Sequence, residues 1–339
     1  MLTQITLQNF RCFTLNRFGF EKITYICGEN GCGKTSILEA VSMLNGQNSF
    51  RGNSDELIRN GVGIFEIMGE MDLGSVFIKH DGEKKLLEFD GEKANQNQLK
   101  KLICPVIFTP NHELSLATNS QTRTFFDKLC LALFPNHETL LNKCRDLYSE
   151  RLKILHLSGN KTWLDSIEEQ ISQNLTVILF NRLNFVQKIT EFFKEINVIH
   201  TVDVHNQYVS MLKNKETFSS IEQKIVGDLF SSRETDRIQN RNSISMNDVE
   251  YQLTFSGKNS CFASSGQQKL LGSLVAIATG YFAQKSHNGV IILLDDITAK
   301  IDEKNQNFLH SIIEFSNCQT IITTIHRPFH HHCFQISLQ

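Results

Sequence analysis

Eight consecutive residues, Gly28-Glu29-Asn30-Gly31-Cys32-Gly33-Lys34-Thr35, fit the pattern G-x-x-x-x-G-K-[ST] and constrain this chain more than any other stretch. Glycine lets a backbone turn tightly around an oxyanion. Successive N–H groups and the N-terminus of a following helix then point at phosphate. The flanks suit that use. Ile23-Thr24-Tyr25-Ile26-Cys27 is a short apolar run of the buried parallel-strand kind, and Ile37, Leu38, Val41 and Leu44 follow at helical spacing. The pattern arises by chance in roughly one per cent of chains this long, and a strand before it with a helix after it makes chance a poor account. The expected ligand is ATP. Gly28, Asn30, Gly31, Gly33 and Ser36 would shape the cradle, Lys34 would reach the β- and γ-phosphates, and Thr35 would offer its hydroxyl to magnesium (Mg2+).

Two further segments gain meaning beside it. Leu293-Leu294-Asp295-Asp296 closes an apolar strand, Gly289 to Leu294, with two carboxylates. Alone this could be a solvated strand end. In a P-loop fold such a strand is expected beside the first one, where Asp295 would hold magnesium and Asp296 would orient or deprotonate an attacking water. Ser264-Ser265-Gly266-Gln267-Gln268-Lys269 opens an apolar helix, Leu270 to Ala278. A hydroxyl, a glycine and an amide at a helix N-terminus form a second anion site by the same physics, although a serine there is also an ordinary N-cap.

The rest of the chain organises around these points. Its 339 residues suit one large or two modest domains, and 40% hydrophobic with 21% charged residues is ordinary globular usage. Lys+Arg (34) and Asp+Glu (36) nearly cancel, giving a net charge of -2, so any DNA surface must be a local patch. The nine cysteines include no CxxC pair, which argues against a zinc site and for reduced thiols in a cytoplasmic protein. No signal peptide and no apolar stretch near the roughly 20 residues of a membrane span is visible. Leu2 to Phe10 alternates polar and apolar residues and predicts an edge strand. Phe65 to Phe89 predicts strands and hairpins, with turns at Asp81-Gly82 and Asp90-Gly91. From Gln121 to about Ile199 the spacing is helical, with a turn at Leu157 to Lys161, predicting a pair of antiparallel helices too short for a long coiled-coil arm. Asn206 to Asp248 is polar and weakly patterned. Trp163 is expected in interlobe packing, and His330-His331-His332 in a solvated loop. The α/β ends must come together, predicting an ATPase lobe of residues 1–110 plus 250–339 and a helical insertion of residues 111–249.

The order of segments is P-loop, long insertion, Ser-x-Gly-Gln turn, acidic strand, then a strand ending in Thr324-Ile325-His326. It resembles the ABC-type ATPases, including SMC and Rad50 proteins. The resemblance implies that Ser264, Gly266 and Gln267 act on nucleotide across a dimer, that Asp302 belongs to the D-loop, and that His326 takes the switch-histidine position.

The likeness sharpens over nearly the whole chain. Leu7-Gln8-Asn9-Phe10-Arg11, Leu38-Glu39-Ala40, Asn48-Ser49-Phe50-Arg51, Leu57-Ile58-Arg59-Asn60-Gly61, Phe108-Thr109-Pro110, Thr122-Arg123-Thr124-Phe125-Phe126-Asp127, Ser264 to Lys269 and Leu293 to Asp296 resemble, in collinear order, the segments of the RecF family. That resemblance implies a Rad50-like ATPase lobe with Arg11 among its nucleotide contacts, an ATP-dependent homodimer, and binding to single-stranded, gapped or junction DNA. It also implies slow ATP hydrolysis and work with RecO and RecR to load RecA. Three departures stand out, one of them His326, since the family's last strand does not usually end in histidine. The family's Gly-Pro-His-Arg-Asp-Asp segment is reduced, near Ile244 to Val249, to Asn247-Asp248, and its paired arginines are reduced to Arg123. The alternative reading is an SMC-like ATPase coupled to a non-DNA partner. A small-molecule P-loop kinase would leave the Ser264 turn unexplained.

Overall fold

The computed structural model describes residues 1–52, 54–109, 118–157, 161–297, 301–325 and 334–338. The chain divides into two units, Met1–Glu113 with Ala263–Gln339, and Leu114–Phe262.

The first half of unit one runs β1 (Leu2–Phe10), β2 (Phe13–Gly19), β3 (Ile23–Cys27), α1 (Lys34–Met43), α2 (Ser54–Leu57), β4 (Phe65–Met71), β5 (Gly74–His80), β6 (Lys85–Phe89), β7 (Glu92–Lys93), α3 (Gln96–Leu102) and β8 (Cys104–Phe108). Strands β2-β1-β4-β5-β6-β7, in that order, form an antiparallel sheet. The expected edge strand is therefore interior, because β1 pairs with β2 on one side and β4 on the other. Its alternation reports one buried face, with Leu2, Ile5, Leu7 and Phe10 fully buried, and says nothing about edges. At the β6–β7 turn both Asp90 (φ 50) and Gly91 (φ 79) adopt the left-handed region that a tight hairpin requires.

Unit two runs α4 (Asn119–Cys130), α5 (His137–His156), α6 (Lys161–Glu195), β9 (His200–His205), α7 (Gln207–Lys213), α8 (Phe218–Gln239), β10 (Glu250–Phe255) and β11 (Lys258–Asn259). The expected α5–α6 pair packs together, and α8 packs on both. Residues 158–160, within the predicted turn, lie outside the described residues. The weakly patterned stretch is mostly helix α8. Its buried stripe is narrow, Ile221, Ile225 and Leu229 at four-residue steps, and then continues with a buried carboxylate, Asp236. That carboxylate is matched by Arg151, a fully buried guanidinium on α5 that donates to Glu168 on α6 (2.8 Å), to Asp236 (2.7 Å) and to the Leu229 carbonyl (2.7 Å). A second buried pair, Arg182 with Asp127, joins α6 to α4. Burial pushes the Asp127 carboxyl up, but the Arg182 charge and the hydrogen bonds from His137 and Arg182 outweigh it and bring it to about 2.

Arg182 also donates to the Met246 carbonyl, and Arg123 to the Asn247 carbonyl at 2.7 Å. Two of the three departures from the family pattern, Arg123 and the segment at Asn247, thus touch one another. The division between units falls after Phe262 rather than after residue 249, because β10 pairs with β9 from Glu250↔His205 to Phe255↔His200. Trp163, expected between lobes, is 53% exposed.

Unit one resumes with α9 (Ser265–Ala283), β12 (Val290–Leu294), α10 (Glu303–Ser316), β13 (Gln319–Thr324) and β14 (Phe334–Ser337). With β3 and β8 these strands make a wholly parallel sheet in the order β14-β3-β13-β12-β8. The acidic strand β12 is therefore not beside β3, as expected, but one strand away, with β13 between them. Helix α9 lies so close over the sheet that a Cβ on Gly272 would meet the Phe108 ring at 2.3 Å. The two sheets are tied by Gln319, whose side chain accepts from Leu2 N (2.8 Å) and donates to Leu2 O (2.6 Å) across 317 residues. No helix among the described residues is long and apolar enough to cross a membrane.

Candidate functional site

Strand β3 ends at Cys27, and α1 begins at Lys34. Between them Gly31 (φ 88) and Gly33 (φ 101) hold left-handed backbone. Gly33 occupies the N-cap position of α1 with no side-chain cap, so the first amides of that helix are left for another partner. A Cβ on Gly33 would come within 2.7 Å of both Cys12 Sγ and the Phe13 ring, so this glycine is required by space as well as by φ. Lys34 Nζ folds back and donates to the carbonyls of Gly28 and Glu29, both at 2.7 Å.

Thr35 Oγ1 donates to Asp295, 3.0 Å from each carboxylate oxygen, although 260 residues separate them. The intervening strand β13 supplies Thr323, whose hydroxyl donates to Asp295 Oδ1 at 2.6 Å and accepts from the Asp296 amide at 2.7 Å. One threonine thus fixes both halves of the acidic pair. Asp295 is buried. Burial pushes its carboxyl up, the Thr323 and Thr35 hydrogen bonds pull it down, and the neighbouring Asp296 charge pushes it up again, for a net rise. Asp296 sits at φ 47, uncommon for a residue with a side chain. Buried Lys269 Nζ donates to the Asp296 carbonyl and stands 3.6 Å from its Oδ2. Asp296 Oδ1 is buried and has no hydrogen-bond partner among the described residues.

These groups open on a cleft of about 750 Å3. All the residues expected in the phosphate cradle except Gly28 line it, with Arg11, Asp295 and Asp296. Gly28 contributes through its carbonyl, under Lys34. Arg11, at φ 52 in the β1–β2 turn, aims its guanidinium at a fully buried carboxylate on α1, with Nε to Glu39 Oε2 at 2.9 Å and Nη2 to Glu39 Oε1 at 2.8 Å. The Glu39 hydrogen bond holds the Arg11 pKa above its usual value.

Ser264, Gly266 and Gln267 are not among the walls of this cleft. They form the N-terminus of α9, where Ser264 and Gln267 cap one another reciprocally and both face solvent. Asp302 caps α10 by accepting from Asn305 N at 2.8 Å. His326 and the histidines at 330–332 lie outside the described residues. Thr323, Lys269 and Glu39 were not singled out in the sequence for this site. The available signal was a polar residue inside a buried apolar segment: Thr323 after Ile321-Ile322, and Glu39 between Leu38 and Ala40.

Residues 1–337 match the family model described as the RecF/RecN/SMC N terminal domain. The "DNA replication and repair protein RecF" of Rickettsia typhi is 27% identical over 338 residues, covering 95% of this chain and 93% of its own. That of Rickettsia prowazekii is 26% identical over 344 residues with the same coverage. Among solved structures, the recombination mediator protein RecF, as RecF-ATPrS in the RecFOR pathway, superposes with a TM-score of 0.81 at 21% identity, covering 100% of this chain and 97% of that one. An Smc head domain from Pyrococcus furiosus gives 0.52 at 15% identity, covering 96% and 89%. The fold is thus the expected P-loop ABC/SMC-type ATPase lobe with an inserted, mostly helical lobe.

Proposed function

Because the chain belongs to the RecF/RecN/SMC N-terminal domain family, we propose that it is an ATP-dependent DNA-binding repair protein of RecF type, a weak DNA-linked ATPase of the cytoplasm. Unit one is the ATPase lobe and unit two the helical lobe. The observation that carries the reading is the contact of Thr35 with Asp295, which brings the phosphate loop and the acidic strand to one point.

The residues present fit both groups. An uncapped helix N-terminus suits phosphate, and an all-oxygen pair, hydroxyl and carboxylate, suits a hard cation such as Mg2+. Lys34 would leave its own loop carbonyls for the β- and γ-phosphates of ATP. Thr35 and Asp295 would hold the metal. Magnesium, when bound, supplies positive charge that offsets the phosphates. Asp296 would orient the attacking water and take its proton at its carboxylate, while Lys269 and Thr323 hold its backbone.

Ser264, Gly266 and Gln267 would act on nucleotide held by a second copy; the exposure of Ser264 and Gln267, away from their own cleft, supports this. His326 would take the switch position. ATP would then favour the dimer through its greater affinity for it, and the dimer would clamp single-stranded, gapped or junction DNA. RecO and RecR would be its partners in loading RecA, as in the RecFOR pathway named for the structural relative.

Sedimentation of the purified protein in magnesium, with and without ATP and then with gapped DNA, tests the reading. A shift from monomer to dimer with ATP and co-sedimentation with DNA is expected. A monomer that hydrolyses ATP but ignores DNA would transfer the reading to an SMC-like ATPase with a non-DNA partner.

A further inference from the structure

Glu39 has no place in the chemistry above, yet it is a fully buried carboxylate one helical turn after Thr35 on α1. Ionised carboxylates are rarely buried without close compensation. Here the compensation comes from the cleft wall. Arg11 meets both Glu39 oxygens in a two-point fork, at 2.9 and 2.8 Å. Ser49 donates to Oε1, and Arg51 Nη1 stands 4.0 Å from Oε2. Arg11 and Arg51 both line the nucleotide cleft.

The same cluster orders the chain around it. Ser49 Oγ accepts from Arg51 N at 2.9 Å, and Arg11 Nη1 donates to the Glu56 carbonyl at 2.9 Å. The Arg11 amide donates to the Leu57 carbonyl at 2.8 Å, and the Arg59 amide to the Asn9 carbonyl at 2.9 Å. Three chain segments that wall the cleft thus converge on one charge carried by the phosphate-loop helix. A two-point arginine–carboxylate pair fixes orientation as well as distance. It uses two of the five guanidinium N–H groups, and Glu56 takes a third.

We propose that Glu39 is a positioning residue for nucleotide binding: it aims the guanidinium of Arg11 so that its remaining N–H groups face the bound nucleotide. The inference rests on the nucleotide-site reading given above. It follows that Arg11→Ala is a compound lesion, since it removes a cleft donor and also strands a buried charge.

The test is equilibrium binding of a fluorescent ATP analogue to the 339-residue chain, as wild type, Glu39→Gln, Arg11→Ala and the double variant, each with a thermal melt. Glutamine keeps the shape and one acceptor but loses the charge that fixes the fork. Glu39→Gln should weaken binding about tenfold, the scale of one charge-assisted hydrogen bond. Arg11→Ala should do the same, and the double variant should bind no more weakly than Arg11→Ala, because Glu39 acts through Arg11. Glu39→Asp, which keeps the charge, should recover part of the loss. A folded Glu39→Gln variant that binds as tightly as wild type overturns the proposal. So does a double variant whose losses multiply. A wild-type protein that binds no nucleotide at all would instead remove the site reading itself.

Discussion

At Asp295 burial and the proposed metal-holding role pull in opposite directions. Burial raises its pKa, so folding costs the carboxylate more than it costs the protonated carboxyl. Its contribution to stability is fullest below the unfolded value of about 3.9 and is lost as pH rises through the raised folded value. Asp295→Asn should therefore melt above wild type at neutral pH and lose that advantage in acid, while magnesium-dependent hydrolysis falls by about a hundredfold or more. Melting curves at several pH values beside phosphate-release assays decide it; equal melting at neutral pH would refute the first half. The phosphate loop was legible because its residues are contiguous and its glycines answer to backbone geometry. Thr323 was not, because its partners Asp295 and Asp296 are 28 and 27 residues away, and because threonine is an ordinary strand former whose hydroxyl carries no sign of its target. The placement of β12 was misjudged for the same reason: strand order is not written in a strand's own composition.

Among the elements, the helical unit depends on charges where a core usually has hydrocarbon. Arg151 satisfies carboxylates on two other helices; without it Glu168 keeps Arg233, but Asp236 keeps only the neutral donors Ser232 and Ser243, so a buried charge loses its paired cation. Arg151→Ala should destabilise the protein by about 3–5 kcal/mol, read as a lower urea midpoint. Replacing Arg151 and Asp236 together by apolar residues of similar volume should restore part of the loss, since Glu168 keeps Arg233; a double variant as weak as the single one would contradict this account. The same chemistry explains what the sequence concealed. Helices α5 and α6 carry broad apolar stripes and were legible from spacing alone. Helix α8 buries Asp236 in line with Ile221, Ile225 and Leu229, so its inward face reads as partly polar. The boundary near residue 250 was obscured by pairing: β10 takes its register from β9, about 50 residues earlier, and no local signal says which sheet a strand will join.

For the whole molecule, the exposed turn at Ser264 and the cleft at Lys34 are two faces of one proposed contact between copies. Ser264→Arg should leave ATP binding by the monomer unchanged within about twofold, since Ser264 does not line its own cleft, and should abolish the ATP-dependent dimer in sedimentation. The trans-acting role is falsified if that variant still dimerises with ATP. The order of the parallel sheet has a further consequence. Strand β3, which leads into the phosphate loop, is flanked by β13 and β14, both from the last stretch of chain. On a ribosome, where synthesis proceeds at roughly 5–20 residues per second, the stretch from 114 to 262 is complete while β3 still lacks both neighbours. The helical unit can therefore fold first, and the nucleotide loop, made before that unit, finds its place after it.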